Sequence, residues 1–297
     1  MRDAVFIKRD TCPACGSSCV TDIYTATYLE SPIINYLHVF YGSNIDFSWL
    51  ADTLFTVVEC KTCSLLFQKN VMDNKTSSTF YSTVVASRVN SGKELSINND
   101  NVKISYTKFL GDIILYLLHR DRAKNQDTNI SPQNWNFLDY GCGYCTWAKI
   151  VKENGIASYG YDISDHARVA AQKEEISFIS ADDAIDNYYD FININQVLEH
   201  VNEPCRLISH AVSLLKDDGI LYISVPNGSR TKELLTTSSW YIPKYHPDSL
   251  NSIAPLEHIN CFSNSSIFQM TIKNNLEPIE TIRFCYKKRT DIQDSAL

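Results

Sequence analysis

The fold of this chain is decided by a stretch near its centre, Phe137-Leu138-Asp139-Tyr140-Gly141-Cys142-Gly143. An apolar run there ends in an acidic residue, and two glycines one residue apart follow it. A second short apolar run, Tyr159-Gly160-Tyr161, leads into another acidic residue, Asp162. Glycines in such a turn let the backbone approach a ligand, and a carboxylate that ends the next strand can bind ribose hydroxyls. The pattern therefore predicts a nucleotide-type cofactor site in an open α/β sheet.

Strands and helices alternate along the rest of the chain. Apolar runs predict strands at 136–140, 158–162, 176–180, 189–195 and 219–225, with a last strand near 277–284. Helices are predicted between them, at 145–154, 164–173, 203–216 and 263–275. This alternation is typical of an α/β, Rossmann-like fold with a doubly wound, mostly parallel sheet. Because ligands bind outside the carboxyl ends of such strands, the residues directly after each strand are the candidate contacts.

Four of the cysteines form two Cys-x-x-Cys pairs, Cys12 with Cys15 and Cys60 with Cys63. Each pair can form a tight knuckle that presents two thiolates, and two knuckles can close a tetrahedral zinc site. Four cysteine ligands indicate a structural Zn²⁺, since catalytic zinc keeps an open position. We therefore predict a small zinc-ribbon-like domain that needs the ion for its folding. The alternative is a set of four unrelated or buried thiols.

These patterns divide the chain into three predicted domains. Residues 1–72 form the zinc-binding module, 73–133 a connecting and helical segment, and 134–297 the cofactor-binding domain. Residues 73–100 are rich in Ser, Asn and Thr, which is typical of a surface connection. Apolar residues between Val102 and Arg122 recur at helical spacing, which predicts a helix there.

The segments that follow the strands resemble those of class I methyltransferases that use S-adenosylmethionine. The fourth strand ends in Asn195 and continues into Leu198-Glu199-His200-Val201. A glycine turn at Gly219, an apolar strand and then Pro226-Asn227 follow, as in that family. The resemblance covers roughly residues 134–285. It implies an enzyme that transfers a methyl group from S-adenosylmethionine.

The resemblance also implies a set of cofactor contacts, all in or directly after strands: Asp139, Gly141, Gly143, Asp162, Asp182, Asp183 and Asn195. The two glycines would border the methionine end of the cofactor. Asp162 would bind the ribose diol, and Asp182 or Asp183 the adenine amine. The family usually has a third glycine where this chain has Cys145. That side chain could crowd the amino-acid moiety or face the helix interior.

The cysteine module narrows the resemblance to methyltransferases that act on nucleotide-linked deoxysugars, and to relatives from polysaccharide or secondary-metabolite pathways. In the sugar C-methyltransferases a Glu-His pair precedes a Phe-Ser that starts a late helix. This chain has Glu257-His258 before Phe262-Ser263. Pro255 stands where those enzymes have a tyrosine, which is a departure from the sugar-carbon pattern.

A methyl acceptor that must lose a proton needs a base that works near pH 7, and imidazole is suited to this role. Two histidines follow acids, His200 after Glu199 and His258 after Glu257. The resemblance favours His258 as the general base, with Glu257 either orienting it or binding a substrate hydroxyl. His200 is the alternative base, and either histidine could instead be structural.

The composition is that of a globular protein, with 44% hydrophobic and 21% charged residues and a net charge of −7. The acidic balance argues against broad nucleic-acid binding, which needs an excess of Lys and Arg. No apolar signal core begins the chain, and no apolar stretch is long enough to cross a bilayer. We therefore expect a cytoplasmic protein with a small-molecule substrate and no membrane partner. The oligomeric state stays open.

Two other functions are compatible with parts of the pattern. An NAD-type dehydrogenase shares the first glycines and Asp162, but it usually has Gly-x-Gly-x-x-Gly, and Thr146 occupies the last of these positions. Alternatively, the zinc module could bind a partner while the sheet serves as a catalytically degenerate scaffold without a cofactor. Binding of S-adenosylmethionine distinguishes both from a methyltransferase.

Overall fold

The computed structural model describes residues 3–85, 100–124, 130–180, 183–237, 240, 246, 248–283 and 285–289. The chain forms two compact units, each discontinuous in sequence. Unit 1 comprises residues 1–95, 196–207 and 225–273, and unit 2 comprises 96–195, 208–224 and 274–297. The domains predicted from the sequence are three consecutive segments, 1–72, 73–133 and 134–297, and these boundaries stay a prediction.

Strands and helices follow one another along the described chain. The first part of the chain forms β1 (Phe6–Lys8), β2 (Val20–Thr27), α1 (Ile33–Tyr41), β3 (Leu54–Cys60), β4 (Leu66–Gln68), β5 (Asn70–Met72), α2 (Asn74–Phe80) and α3 (Asp100–Lys124). The second part forms β6 (Asn136–Tyr140), α4 (Thr146–Glu153), β7 (Ala157–Tyr161), α5 (Asp165–Lys173), β8 (Ser177–Phe178), β9 (Tyr189–Asn195), α6 (Pro204–Leu214), β10 (Leu215–Ser224), α7 (Thr231–Thr237), β11 (Asn260–Cys261), α8 (Asn264–Lys273), β12 (Leu276–Pro278) and β13 (Cys285–Lys288).

The central sheet of unit 2 has the strand order β12-β13-β10-β9-β6-β7-β8. The strands from β10 to β8 pair in parallel, and β13 is antiparallel to both β10 and β12. The strand order reverses between β6 and β9, which is where such sheets bind ligands. The predicted Rossmann-like, mostly parallel sheet is therefore confirmed.

Helix α3 contributes one face to the core of unit 2, as its apolar spacing predicts. Leu110, Ile113 and Leu117 are at most 1% exposed, whereas Leu115 on the opposite face is 59% exposed. The buried face packs with Phe137 of β6 and other apolar residues of the sheet. A helix with a one-sided apolar stripe is stabilised mainly by such burial.

The end of the sheet differs from the single strand predicted near 277–284. Two short strands, β12 and β13, form an antiparallel pair in which Leu276 lies opposite Lys288. Pro278 ends the first of them, because proline has no N–H to donate to a ladder. The chain then turns and returns as β13, which also pairs with β10.

Unit 1 contains a four-stranded antiparallel sheet in the order β11-β4-β3-β2, and β1 pairs separately with β5. Its core is aromatic and includes Tyr28, Phe55 and Phe80. In the segment from residue 73 that we expect to be a surface connection, α2 forms and its residue Phe80 is completely buried. Asp73 caps α2 by accepting from the backbone N–H of Thr76 at 2.7 Å, which shows how polar residues begin a helix. Residues 86–99 lie outside the described part.

Within the described residues, no helix combines the length and apolar character that a bilayer crossing requires.

Candidate functional site

The loop after β6 forms the first part of the predicted cofactor site. Gly141 and Gly143 both have a positive φ, of 82° and 48°, a conformation that glycine adopts without a steric cost. The N–H of Gly141 donates to the carbonyl of Tyr161 at 2.7 Å. Among the described residues other than Gly143 and its two chain neighbours, no atom lies within 4 Å of the place where a Cβ on Gly143 would be. The loop therefore presents bare backbone beside open space, as a closely bound ligand requires.

Asp162, directly after β7, is hydrogen-bonded to this loop. Its Oδ2 accepts from the backbone N–H of Gly143 at 3.0 Å, and its Oδ1 accepts from the N–H and hydroxyl of Ser164 at 2.8 and 2.5 Å. The side chain is only partly buried. Each carboxylate oxygen has two lone pairs, so this fixed side chain can also accept from a ligand hydroxyl.

Asp139 and Asn195 lie at the strand ends nearest the reversal point. Asp139 is 5% exposed, and its Oδ1 accepts from Nδ2 of Asn193 at 2.6 Å. Burial raises the pKa of Asp139 to about 7, because a low-dielectric environment disfavours the charged form. Nδ2 of Asn195 donates to the Tyr106 hydroxyl at 3.2 Å.

Of the two predicted adenine contacts, the structure describes Asp183. Asp183 is exposed, and its Oδ2 accepts from the hydroxyl of Ser180 at 2.6 Å. This hydrogen bond lowers the pKa of Asp183. Asp182 lies outside the described residues. The assignment of an adenine contact to either residue stays a prediction.

Cys145 takes a left-handed conformation, with φ of 57°. Its side chain is completely buried in a small cluster with Cys142, Ala148 and Ala167, and its Sγ lies 3.5 Å from that of Cys142. Of the two orientations considered for this side chain, the structure has the one toward the interior. This positive φ is a conformation that glycine adopts more readily than cysteine.

The two Cys-x-x-Cys pairs form two knuckles with matching hydrogen bonds. Gly16 N–H donates to the Cys12 carbonyl at 2.8 Å, and Ser64 N–H donates to the Cys60 carbonyl at 2.9 Å. Gly16 and Ser64 also share a positive φ, of 79° and 61°. Ser64, which stands where the first knuckle has Gly16, therefore leaves the knuckle conformation intact.

The two knuckles bring four sulfurs together. Cys12 Sγ lies 3.5 Å from Cys63 Sγ, Cys15 Sγ lies 3.5 Å from Cys60 Sγ, and all four lie within 4.8 Å of one another. Zn–S bonds of about 2.3 Å place the sulfurs of a tetrahedral site about 3.8 Å apart, so the donor set and its spacing fit Zn²⁺. Cys19 is exposed and does not belong to this group.

Glu199, His200 and His258 form a second group, within unit 1. One ligand-type atom from each lies within 4.8 Å of the others, and the two imidazole rings are 4.7 Å apart in a T-shaped arrangement. Glu199 is 0% exposed and His258 is 6% exposed. Residues far apart in sequence thus place a buried carboxylate beside two imidazoles, and groups of these types can transfer protons.

Backbone carbonyls hold one nitrogen of each ring. Nδ1 of His258 contacts the carbonyl oxygen of Asn251, and Nδ1 of His200 lies 3.0 Å from that of Glu257. A carbonyl oxygen only accepts, so Nδ1 carries the hydrogen in these contacts and Nε2 has the lone pair in the neutral ring. Nδ1 of His200 is also 3.0 Å from the hydroxyl of Tyr81.

Glu257 is buried, with 6% of its surface exposed. Its carboxyl group lies beside the hydroxyl of Tyr41, whose pKa is raised first by burial and then by the charge of Glu257. The carboxylate grouped with both histidines is Glu199, with Oε1 3.8 Å from Nε2 of His200. Glu199 was not among the catalytic residues predicted from the sequence, and its position directly before His200 is the signal that could have identified it.

A cavity of about 430 Å³ in unit 2 lies at the amino ends of the strands, away from the predicted cofactor residues. Charged residues line it, and they pair with one another. Arg120 bonds Asp190 and Asp218 at 3.1 Å, and Lys216 bonds Asp190 at 2.7 Å. We interpret this network as structural, because its opposite charges neutralise each other.

A family model described as a methyltransferase domain matches residues 104–281. Among curated proteins, the ubiquinone biosynthesis O-methyltransferase of Coxiella burnetii (strain Dugway 5J108-111) is 26% identical over 157 residues, which are 48% of this chain and 66% of the relative. The protein of the same name from Actinobacillus pleuropneumoniae serotype 5b (strain L20) is 26% identical over 143 residues, 41% of this chain and 61% of the relative. The chain thus spans less than two thirds of the length of these relatives.

Two solved structures are similar to parts of the chain. The plantazolicin methyltransferase BamL, in complex with a triazolic desmethylPZN analog and SAH, has 18% identity and a TM-score of 0.47 over 68% of this chain and 73% of its own. Magnesium protoporphyrin IX methyltransferase (ChlM) from Synechocystis PCC 6803, with bound SAH, has 16% identity and a TM-score of 0.43 over 72% of this chain and 97% of its own.

Proposed function

The chain belongs to the family of S-adenosylmethionine-dependent methyltransferase domains, and on that premise we propose that it methylates a small molecule, with nucleotide-linked sugars and polysaccharide or secondary-metabolite precursors as the first candidates. The observation that carries the cofactor assignment is the hydrogen-bonded pair of Gly143 and Asp162 beside open space. Family membership does not support a dehydrogenase or a degenerate scaffold.

S-adenosylmethionine, when bound, supplies an electrophilic methyl group on a sulfonium sulfur. The residues of this chain that we propose to hold it are Asp139, Gly141, Gly143, Asp162, Asp183 and Asn195, with Asp182 as the other candidate for the adenine amine. Asp162 accepts from the ribose hydroxyls, and the glycine loop brings backbone close to the methionine end. The contacts of Asp162 with Gly143 and Ser164 support this role, because they fix the carboxylate in one orientation.

We propose that His258 removes the acceptor proton, with His200 as the alternative base. The contact of Nδ1 with the Asn251 carbonyl supports His258, since it orients the ring and leaves Nε2 able to accept a proton. The buried carboxylate of Glu199 stabilises the imidazolium that results. We assign Glu257 the second role considered for it, contact with an acceptor hydroxyl.

We propose that Cys12, Cys15, Cys60 and Cys63 hold one structural Zn²⁺. The matching knuckles and the sulfur spacing support this, and the four thiolates would saturate the ion. Elemental analysis of freshly purified protein tests it, and protein without zinc would contradict the assignment.

The experiment that tests the acceptor class is a methylation assay with a labelled methyl donor. Nucleotide-linked deoxysugars and quinone precursors form the panel, the latter because the curated relatives are named for ubiquinone biosynthesis. Mass spectrometry of the product identifies the methylated atom. We expect methylation of a sugar, and methylation of the quinone precursors alone would contradict the sugar assignment.

A further inference from the structure

Asn260 closes the turn that carries Glu199 and His200. It is 0% exposed, and its Nδ2 donates to the carbonyls of Leu198 at 2.9 Å and Val201 at 2.7 Å. These two carbonyls flank Glu199 and His200 on either side. One buried amide therefore fixes both ends of the short 3-10 segment Leu198–His200.

Arg9 determines which way this amide faces. Its Nη1 donates to Oδ1 of Asn260 at 2.8 Å, and its Nη2 donates to the carbonyls of Ile259 at 2.8 Å and Gln68 at 2.7 Å. A guanidinium has donors only, so the amide oxygen must face Arg9 and the amide N–H groups must face the turn. Arg9 is itself 8% exposed, which protects these bonds from competition with water.

The segment that carries His258 is hydrogen-bonded both to β4 and to the turn that carries Glu199. Nε2 of Gln68 donates to the His258 carbonyl at 3.1 Å. The N–H of Ile259 donates to the Glu199 carbonyl at 2.8 Å. Gln68 ends β4, the strand that follows the second cysteine knuckle. The segment with His200 and the segment with His258 are thus hydrogen-bonded to each other, and the second is also hydrogen-bonded to β4.

We propose that Asn260 is a positioning residue for the group Glu199, His200 and His258, and that Arg9 acts through it by orienting its amide. The proposal rests on the proposed function, in which this group is the acid–base machinery. Asn260 works through the backbone of the turn and touches none of the three side chains in the described contacts. Its effect is to hold the imidazoles where proton transfer is possible, and small displacements cost rate steeply.

The test uses the whole chain with ¹⁵N-labelled histidine. Ring nitrogen chemical shifts report the tautomer and the hydrogen bonds of each imidazole, which a loss of stability alone does not change. In Asn260→Ala we expect the ring resonances of His200 and His258 to shift, while those of the exposed His246 stay in place. Thr56→Val is the matched control, because Thr56 is a buried polar residue of the same unit, 4% exposed, whose hydroxyl contacts Thr25 instead.

Arg9→Lys keeps a positive charge and loses the guanidinium fork, so it should shift the same resonances less than Asn260→Ala does. Arg9→Lys should add less to the shifts in the Asn260→Ala background than in the wild type, since the contact through the Asn260 amide is then already lost and only the contacts of Arg9 with backbone carbonyls remain. Should Asn260→Ala not fold, Arg9→Lys is the deciding variant. Unchanged ring resonances of His200 and His258 in a folded variant, or equal shifts in Thr56→Val, overturn the proposal.

Failure of the proposed function gives a different result. If the ring resonances shift as expected but His258→Gln and His200→Gln both retain full methyl transfer, the positioning stands and the acid–base role is wrong. If the resonances do not shift but His258→Gln loses methyl transfer, the acid–base role stands and the positioning is wrong.

Discussion

The backbone N–H of Gly143 donates a hydrogen bond of 3.0 Å to Oδ2 of Asp162. This bond joins the loop after β6 to the residue after β7, two strands that pair in parallel with Tyr140 opposite Tyr161. The carboxyl ends of neighbouring parallel strands meet at one edge of the sheet. The glycine loop after β6 and Asp162 after β7 are therefore close together, although they are separate in the sequence. Asp162 is therefore the residue on which the cofactor assignment can be tested most directly.

We expect Asp162→Ala to weaken binding of S-adenosylmethionine by about ten- to a hundredfold. Hydrogen bonds to charged groups contribute roughly 1.5–3 kcal/mol, which corresponds to that range of affinity. Isothermal titration calorimetry measures the effect. Glu280→Ala, which removes an exposed carboxylate of the same unit, is the control and should bind normally. Normal affinity in Asp162→Ala would show that Asp162 does not bind the cofactor.

Asp139 should make the stability of the cofactor-free protein depend on pH. Its folded-state pKa is raised from 3.8 to about 7, so its favourable contribution is complete below pH 4 and is lost as the pH rises through 7. Each pKa unit corresponds to about 1.4 kcal/mol, which makes the loss roughly 4 kcal/mol. Asp139→Asn cannot ionise and should flatten the free energy of unfolding between pH 4 and 7, measured by urea titration.

The control for this prediction is Asp183→Asn. Asp183 is exposed and its pKa is lowered, so any stability it contributes is lost as the pH falls, opposite to the trend expected for Asp139. A slope in Asp139→Asn equal to that of the wild type would contradict the assigned pKa.

Cys145 should have little influence on cofactor affinity. Its side chain is buried against Ala148 and Ala167, on the interior side of the loop. We expect Cys145→Ala to bind S-adenosylmethionine within about twofold of the wild type, while the lost sulfur lowers the melting temperature. Calorimetry and thermal unfolding separate the two effects. A tenfold change in affinity with unchanged stability would mean that the thiol borders the cofactor.

Replacing one zinc ligand should remove the ion. We expect Cys60→Ser to contain much less than one zinc per chain and to unfold unit 1 at a lower temperature, because metal binding contributes directly to folding. Cys19→Ser is the matched control, since Cys19 belongs to the same module but is exposed and outside the sulfur group. Equal zinc contents in the two variants, measured by elemental analysis, would rule out Cys60 as a ligand.

Loss of the proposed base should slow methyl transfer without affecting the cofactor. We expect His258→Gln to lower the turnover rate by about 10²–10⁴-fold, as removal of a positioned base usually does. His246→Gln, at an exposed histidine, is the control. Normal turnover in His258→Gln together with an inactive His200→Gln would identify His200 as the base. Activity in all three variants would mean that positioning alone drives the transfer.

Local patterns predicted the parallel strands of the unit 2 sheet but not its antiparallel edge. The predicted strands at 136–140 and 189–195 match β6 and β9, in which buried apolar residues such as Phe137 and Ile192 stand beside the buried polar residues Asp139, Asp190 and Asn193. Short strands with little apolar content were harder to predict. The region predicted as one strand near 277–284 is a hairpin, and the polar stretch after Asp73 begins with a helix that buries Phe80.

By itself, the sequence determined the Rossmann-like fold, the glycine turn after β6 and the two cysteine pairs, because each depends on residues close together in the chain. Only the tertiary structure decided that Cys145 faces the interior and that Glu199 lies together with His200 and His258. Glu199 and His258 are distant in sequence, and hydrogen bonds from Asn260 and Gln68 bring their segments together. Contacts of this kind depend on packing between separate segments, which no local periodicity encodes.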